Sequence, residues 1–176
     1  MRRLVDIDLL DDAVMQERMA VLSVAILVVG VALGVLCAVV LPHEEVSLLW
    51  FVLLAAGSFV ALFVHELVHA VAFKLVSGFR ARIQFGFSSW MLYTSAPGCV
   101  LPKAPFCVVL MAPTVVVTTL LLVVPVVSGF PLLGYFMAII HLAGCTGDME
   151  YVHIIANEPS ADLVEDTSRG ISLLSK

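Results

Sequence analysis

The chain has 176 residues, of which 61% are hydrophobic and 13% charged, with a formal net charge of −5 at pH 7. Soluble domains are about half apolar and about a quarter charged. A chain with a mean hydropathy of +1.10 has too little polar surface for water to be its only solvent, and its acidic balance gives no footprint for nucleic acid.

Residues 1–19 alternate acidic residues with Leu4, Val5, Ile7, Leu9, Leu10, Val14 and Met15. This fits either an amphipathic segment on a membrane surface or a loosely ordered tail. Run 20–41 carries no charge and ends before Pro42. It is too long, and too far from the N-terminus, to read as a cleaved signal peptide. Run 46–76 is apolar except for a cluster at His65, Glu66 and His69, and run 106–127 is apolar with Pro113 inside it. Run 130–155 begins apolar and then carries His141, Asp148, Glu150 and His153. Each run meets the roughly 20 residues needed to cross a hydrocarbon core.

Between the second and third runs, in 77–105, Phe79, Ala81, Ile83, Phe85 and Phe87 alternate with Arg80, Arg82, Gln84 and Gly86. A period of two marks a half-buried strand. Ser88 and Ser89 offer a turn, and 90–94 a return strand. Segment 156–176 is a polar tail with an apolar patch from Ile171 to Leu174. The expected fold is one all-α integral-membrane domain: four transmembrane helices (20–41, 46–76, 106–127 and 130–155) with a small β-hairpin between helices two and three.

The basic residues set the orientation. Arg2, Arg3, Arg18, Lys74, Arg80, Arg82, Lys103, Arg169 and Lys176 all fall in the two tails, at the end of helix two or in 77–105. The positive-inside rule places both termini and that loop in the cytoplasm of a multi-pass protein of the cell (inner or plasma) membrane. Cys37, Cys99, Cys107 and Cys145 show no C-x-x-C spacing and read as small apolar residues on the reducing side, with Cys145 set apart by its neighbours.

Helix two carries His65-Glu66-Leu67-Val68-His69. Residues four apart share a helix face, so two imidazoles so placed reach one metal ion, and zinc favours such ligands. Glu66 stands beside them, able to take a proton from a metal-activated water and pass it to a leaving amine. A shuffled chain of this composition holds the pattern with a probability of roughly 0.006. The plainer alternatives are a polar patch that holds two helices together and a proton or metal pathway. Ionisable groups inside a membrane helix are costly and by default mark function.

A catalytic zinc takes three protein ligands and keeps one position open. Candidates for the third are His43, His141, Cys145, Asp148, Glu150 and His153. His43 belongs to the far loop. His141, Gly144, Cys145 and Asp148 stand at i, i+3, i+4 and i+7, on one face of helix four, and Asp148 lies at the depth of His65 and His69. Gly144 and Gly147 would let helices two and four approach closely. Asp148 is the favoured third ligand, and Glu150 and His153 read as interfacial. His141 has four open roles: orienting a ligand, binding a substrate carbonyl or oxyanion as a catalytic group, replacing Asp148, or resting as a satisfied buried histidine.

His65-Glu66-Leu67-Val68-His69 in one membrane helix and Gly144-Cys145-Thr146-Gly147-Asp148 in a later one resemble the putative zincin peptidase family. The pattern is more distantly similar to site-2 proteases, the intramembrane metalloproteases. The resemblance implies Zn²⁺ held by His65, His69 and Asp148, with Glu66 as general base. It also implies a membrane protein or peptide substrate, bound as an added strand on the 79–94 hairpin. Gly147-Asp148-Met149 stands where site-2 proteases have L-D-G, and His141 stands near their asparagine. The expected function is a membrane-embedded zinc metalloprotease cutting membrane-associated proteins near the cytoplasmic face. The competing expectation is a catalytically idle zinc-binding membrane protein that binds or regulates others.

Overall fold

A computed structural model describes residues 1–8, 11–40, 44–88 and 91–176. The chain runs β1 (Arg2–Ile7), α1 (Ala13–Val40), α2 (Leu48–Val76), β2 (Gln84–Ser88), β3 (Met91–Ser95), β4 (Val100–Pro102), α3 (Lys103–Val127), α4 (Pro131–Gly144), α5 (Thr146–Asn157), β5 (Leu163–Asp166) and β6 (Ile171–Ser175). His43, Leu9, Leu10, Ser89 of the expected turn and Trp90 of the expected return strand lie outside the described residues.

Three helices, α1, α2 and α3, are long and apolar enough to cross a membrane. The pair α4 and α5 passes the same test jointly but bends by 48° at its break, so the spans number three, or four if the pair is one. The outward faces carry large apolar side chains such as Val28, Val35, Phe59, Phe63, Val115 and Val123, all more than half exposed. Such faces would associate in water and are stable in lipid. The apolar helices mark a membrane protein.

Local chemistry sets the helix starts. Asp12 Oδ1 accepts from Val14 N at 2.9 Å and Met15 N at 3.1 Å, capping α1. Ser47 Oγ accepts from Trp50 N at the start of α2. The Glu44 carboxylate accepts from Leu132 N and Leu133 N at the start of α4, and from the Trp50 indole. An anion at a helix N-terminus satisfies amides that have no partner within the helix. At the far end of α2 the chain turns through Gly78 (φ 62) and Phe79 (φ 63). Of the alternation over 79–87 only Gln84 onward is strand, and the left-handed Phe79 belongs to the turn.

The fold is mostly helical but not all-α. β2 and β3 pair antiparallel, from Gln84 with Ser95 to Ser88 with Met91. A second sheet has the order β1-β6-β5-β4, which the sequence did not suggest. It joins both chain ends, with Arg2 opposite Ser175 and Ile7 opposite Ile171, and ties them to the segment before α3 through Leu101 opposite Val164. The two tails are thus ordered strands on one end of the bundle. The main buried core lies at that junction, where Phe73, Phe106, Val109 and Ile155 meet Val164 and Leu173. A smaller cluster of Trp50, Leu133 and Met137 closes the opposite end.

Candidate metal centre

Helix α2 supplies His65, Glu66 and His69, and α5 supplies Asp148 in its first turn. His69 ends seven residues before the helix does, about 10 Å from the sheet-side end at 1.5 Å per residue. His65 Nε2 lies 3.1 Å from His69 Nε2 and 3.2 Å from Asp148 Oδ2, and His69 Nε2 lies 3.3 Å from Asp148 Oδ1. His69 and Glu66 are buried, and His65 and Asp148 are half-buried. These three donors form one of two groups in the described residues whose side-chain atoms converge as metal ligands do.

The protons say what belongs between them. His69 Nδ1 lies 3.1 Å from the Val109 carbonyl oxygen. A carbonyl only accepts, so Nδ1 carries the hydrogen, and neutral His69 has a bare lone pair at Nε2. That lone pair faces a second imidazole nitrogen and a carboxylate. A hydrogen on His65 Nε2 would relieve that crowding in part; with His65 in its other tautomer three acceptors meet, and a cation must sit among them. A metal ion satisfies all three at once, and two imidazole nitrogens with one carboxylate oxygen form a zinc donor set that leaves a position open. The residues fit zinc.

Glu66 lines the same cleft as these three residues. Its Oε2 is buried without a hydrogen-bond partner, which costs free energy unless another molecule supplies a donor. Its backbone is pinned from outside the helix, because Thr94 Oγ1 on β3 donates to the Glu66 carbonyl at 2.9 Å. All four residues line a cleft of about 540 Å³. One wall is β3, from Leu92 to Ser95, and the residues from Asp166 to Ile171 close the sheet side.

Asp166 joins those two walls. Its carboxylate accepts from Ala96 N just beyond β3, and its backbone bonds Gly98 and Cys99. Burial pushes its carboxyl up to about 7, against the pull of the Ala96 N–H and of His69.

Gly144 and Gly147 do not let helices pack closely, contrary to the expectation from sequence. A Cβ on Gly144 would meet nothing within 4 Å, and one on Gly147 would touch only Met19 Sδ at 3.7 Å. Both line the cleft and leave it open in front of Asp148. The heptad face from His141 to Asp148 is not one continuous helix either, since it passes through the break at Cys145, where the Cys145 amide bonds the carbonyls of His141 and Leu142.

The other sequence candidates separate. His141 is buried and lies beside His65, with its Nε2 3.1 Å from His65 Nδ1. Cys145 Sγ lies 3.9 Å from the same nitrogen, completing the second donor group of His65, His141 and Cys145. Glu150 pairs with Arg18 at 3.7 Å, and His153 is exposed beside Asn157. Sequence reasoning missed Thr94, Thr118, Asp166 and the Val109 carbonyl. Thr118 is one of three threonines in α3, with Thr114 and Thr119, so its hydroxyl did not stand out in the sequence, and a backbone carbonyl carries no signal.

No curated protein and no solved structure matches the chain. A family model does match, over residues 58–163, a stretch that holds the His65–His69 motif, β2, β3, all of α3 to α5, and Asp148. The chain belongs to the family described as putative zincin peptidase.

Proposed function

We propose that this protein is a membrane-embedded zinc metalloprotease that hydrolyses peptide bonds of membrane-associated proteins near the cytoplasmic face of the cell membrane. The observation that carries the reading is the convergence of His65, His69 and Asp148 in one cleft with Glu66, whose Oε2 is buried without a hydrogen-bond partner. His65 Nε2, His69 Nε2 and Asp148 are the metal ligands. Zinc, if bound by these residues, would supply Lewis acidity, which makes water more acidic and a carbonyl more electrophilic. Glu66 accepts the proton of the attacking water and returns it to the leaving amine nitrogen. The buried walls around Glu66 keep bulk water from competing for that proton.

The substrate lies extended along β3. Among the described residues that strand pairs with β2 alone, and its residues line the cleft, so a peptide can add as a further strand through main-chain hydrogen bonds. Both termini and the basic 77–105 segment belong to the cytoplasmic side, a reading supported by the sheet that draws β1, β6 and β4 to one end of the bundle.

Incubating the detergent-solubilised protein with a diverse peptide library and reading products by mass spectrometry tests this. Cleavage should need zinc, stop with a chelator, return on zinc addition and be absent in Glu66→Gln. Zinc binding without cleavage of any peptide or membrane-protein extract would overturn the protease reading in favour of an idle zinc-binding regulator.

A further inference from the structure

The two histidines of α2 are held by different means. His69 gives its Nδ1–H to the backbone carbonyl of Val109. His65 meets no carbonyl there: its Nδ1 lies 3.1 Å from Nε2 of His141, and His141 Nδ1 lies 3.0 Å from Oγ1 of Thr118. We infer that His141 is a positioning residue, which accepts the Nδ1–H of His65 and, steadied by Thr118, aims His65 Nε2 at Asp148. The inference rests on the zinc reading of the site.

The protons follow in one direction. A His65 that offers its Nε2 lone pair to a metal carries its hydrogen on Nδ1, which donates to His141 Nε2. Neutral His141 then carries its own hydrogen on Nδ1 and donates to the Thr118 hydroxyl. Reversing any link sets two hydrogens or two lone pairs against each other in a buried place, so the chain selects one tautomer at each ring. Ligand histidines generally give their second nitrogen to such a partner, which fixes the ring and raises its basicity. Here α3 anchors His69 directly through the Val109 carbonyl and His65 indirectly, with Thr118 holding His141 of α4.

His141 is poorly placed for the other roles. It is buried and is not among the residues lining the cleft, and its Nε2 is taken by His65. Cys145 holds it from below, its thiol donating to the His141 carbonyl at 3.2 Å with the sulfur 3.7 Å from the ring. The competing use of these atoms is a second metal bound by His65 Nδ1, His141 and Cys145.

Zinc affinity in detergent, measured by competition with a chromogenic chelator alongside metal content, separates these. Wild type should hold one zinc. His141→Leu should hold it 10- to 100-fold more weakly, as loss of an outer-shell partner does. His141→Gln, whose amide oxygen accepts the same N–H, should recover to within about threefold of wild type, and Thr118→Val should fall between. Wild-type affinity in His141→Leu, or a His141→Gln as weak as His141→Leu, would overturn the inference. So would a second bound metal that disappears in Cys145→Ser. Binding lost in Asp148→Ala but indifferent to His141 would refute this inference alone. A wild type without zinc, or an Asp148→Ala that holds zinc normally, would remove the zinc reading on which it rests.

Discussion

The bundle treats its glycines in two opposite ways. Away from the sheet they are filled in: a Cβ on Gly30 would lie 2.4 Å from Ile139 Cγ2, one on Gly34 2.7 Å from Phe136, and one on Gly134 2.8 Å from both the Leu121 carbonyl and Pro125. Near the sheet, Gly144 faces open space and a Cβ on Gly147 would make only an ordinary contact with Met19 Sδ at 3.7 Å. The first set lets α1, α3 and α4 touch backbone to side chain. The second holds a volume empty beside His65, Glu66, His69 and Asp148. Small residues in membrane helices thus serve packing in one half and a reaction space in the other, and the letter G alone does not say which.

The comparison predicts effects that differ by region. The largest should come from Glu66→Gln, in the open half: peptide cleavage should fall about 10²- to 10⁴-fold, the range for losing a general base, while metal content stays unchanged. If cleavage persisted, the base would be elsewhere and the open half would lose its catalytic meaning.

Asp166, at the wall of the open half, should give the next effect. Its carboxyl is raised to about 7 in the fold, above its unfolded value near 3.9. The folded state therefore keeps the proton longer, and the stability this gives at low pH is lost as pH rises through about 7. Asp166→Asn, which can still accept the Ala96 N–H, should match wild type near pH 4 and exceed it at pH 8 by at most about 4 kcal/mol. Thermal unfolding at the two pH values reads this directly. Equal pH slopes in both proteins would show that Asp166 is not held at a raised pKa.

Glycine substitutions test the contrast itself. Gly134→Ala forces a methyl against a carbonyl and a proline, and should cost about 1–3 kcal/mol with metal content unchanged. Gly144→Ala should leave the melting temperature unchanged or raise it slightly, since alanine favours a helix by up to about 1 kcal/mol, yet reduce cleavage of substrates that use the floor of the cleft. If both behaved alike in unfolding experiments, the division between filled and open glycines would fail.

Much of the site was legible because it rests on local spacing. His65, Glu66 and His69 lie within five residues, and Asp148 is reached through a heptad read on one later helix, which the structure breaks at Cys145 while still bringing Asp148 to the two histidines. The rest depended on geometry that spacing does not carry. The sheet pairs residues from opposite ends of the chain, Arg2 with Ser175, and each strand is too short to announce its partner. The break at Cys145 has no proline to mark it, so a continuous helix was the natural reading of 130–155. The strand expected from Phe79 gave way to a turn because Gly78 and Phe79 both take left-handed conformations. Thr118 and Asp166 sit in ordinary surroundings in sequence, and only the fold places them beside His141 and β3.

The most direct test of the central claim is the zinc content of purified, detergent-solubilised protein, measured for wild type, Asp148→Ala and Glu66→Gln side by side. One zinc per chain in wild type and in Glu66→Gln, with loss in Asp148→Ala, is the result this account predicts. Zinc absent from wild type, or retained in full by Asp148→Ala, would contradict it.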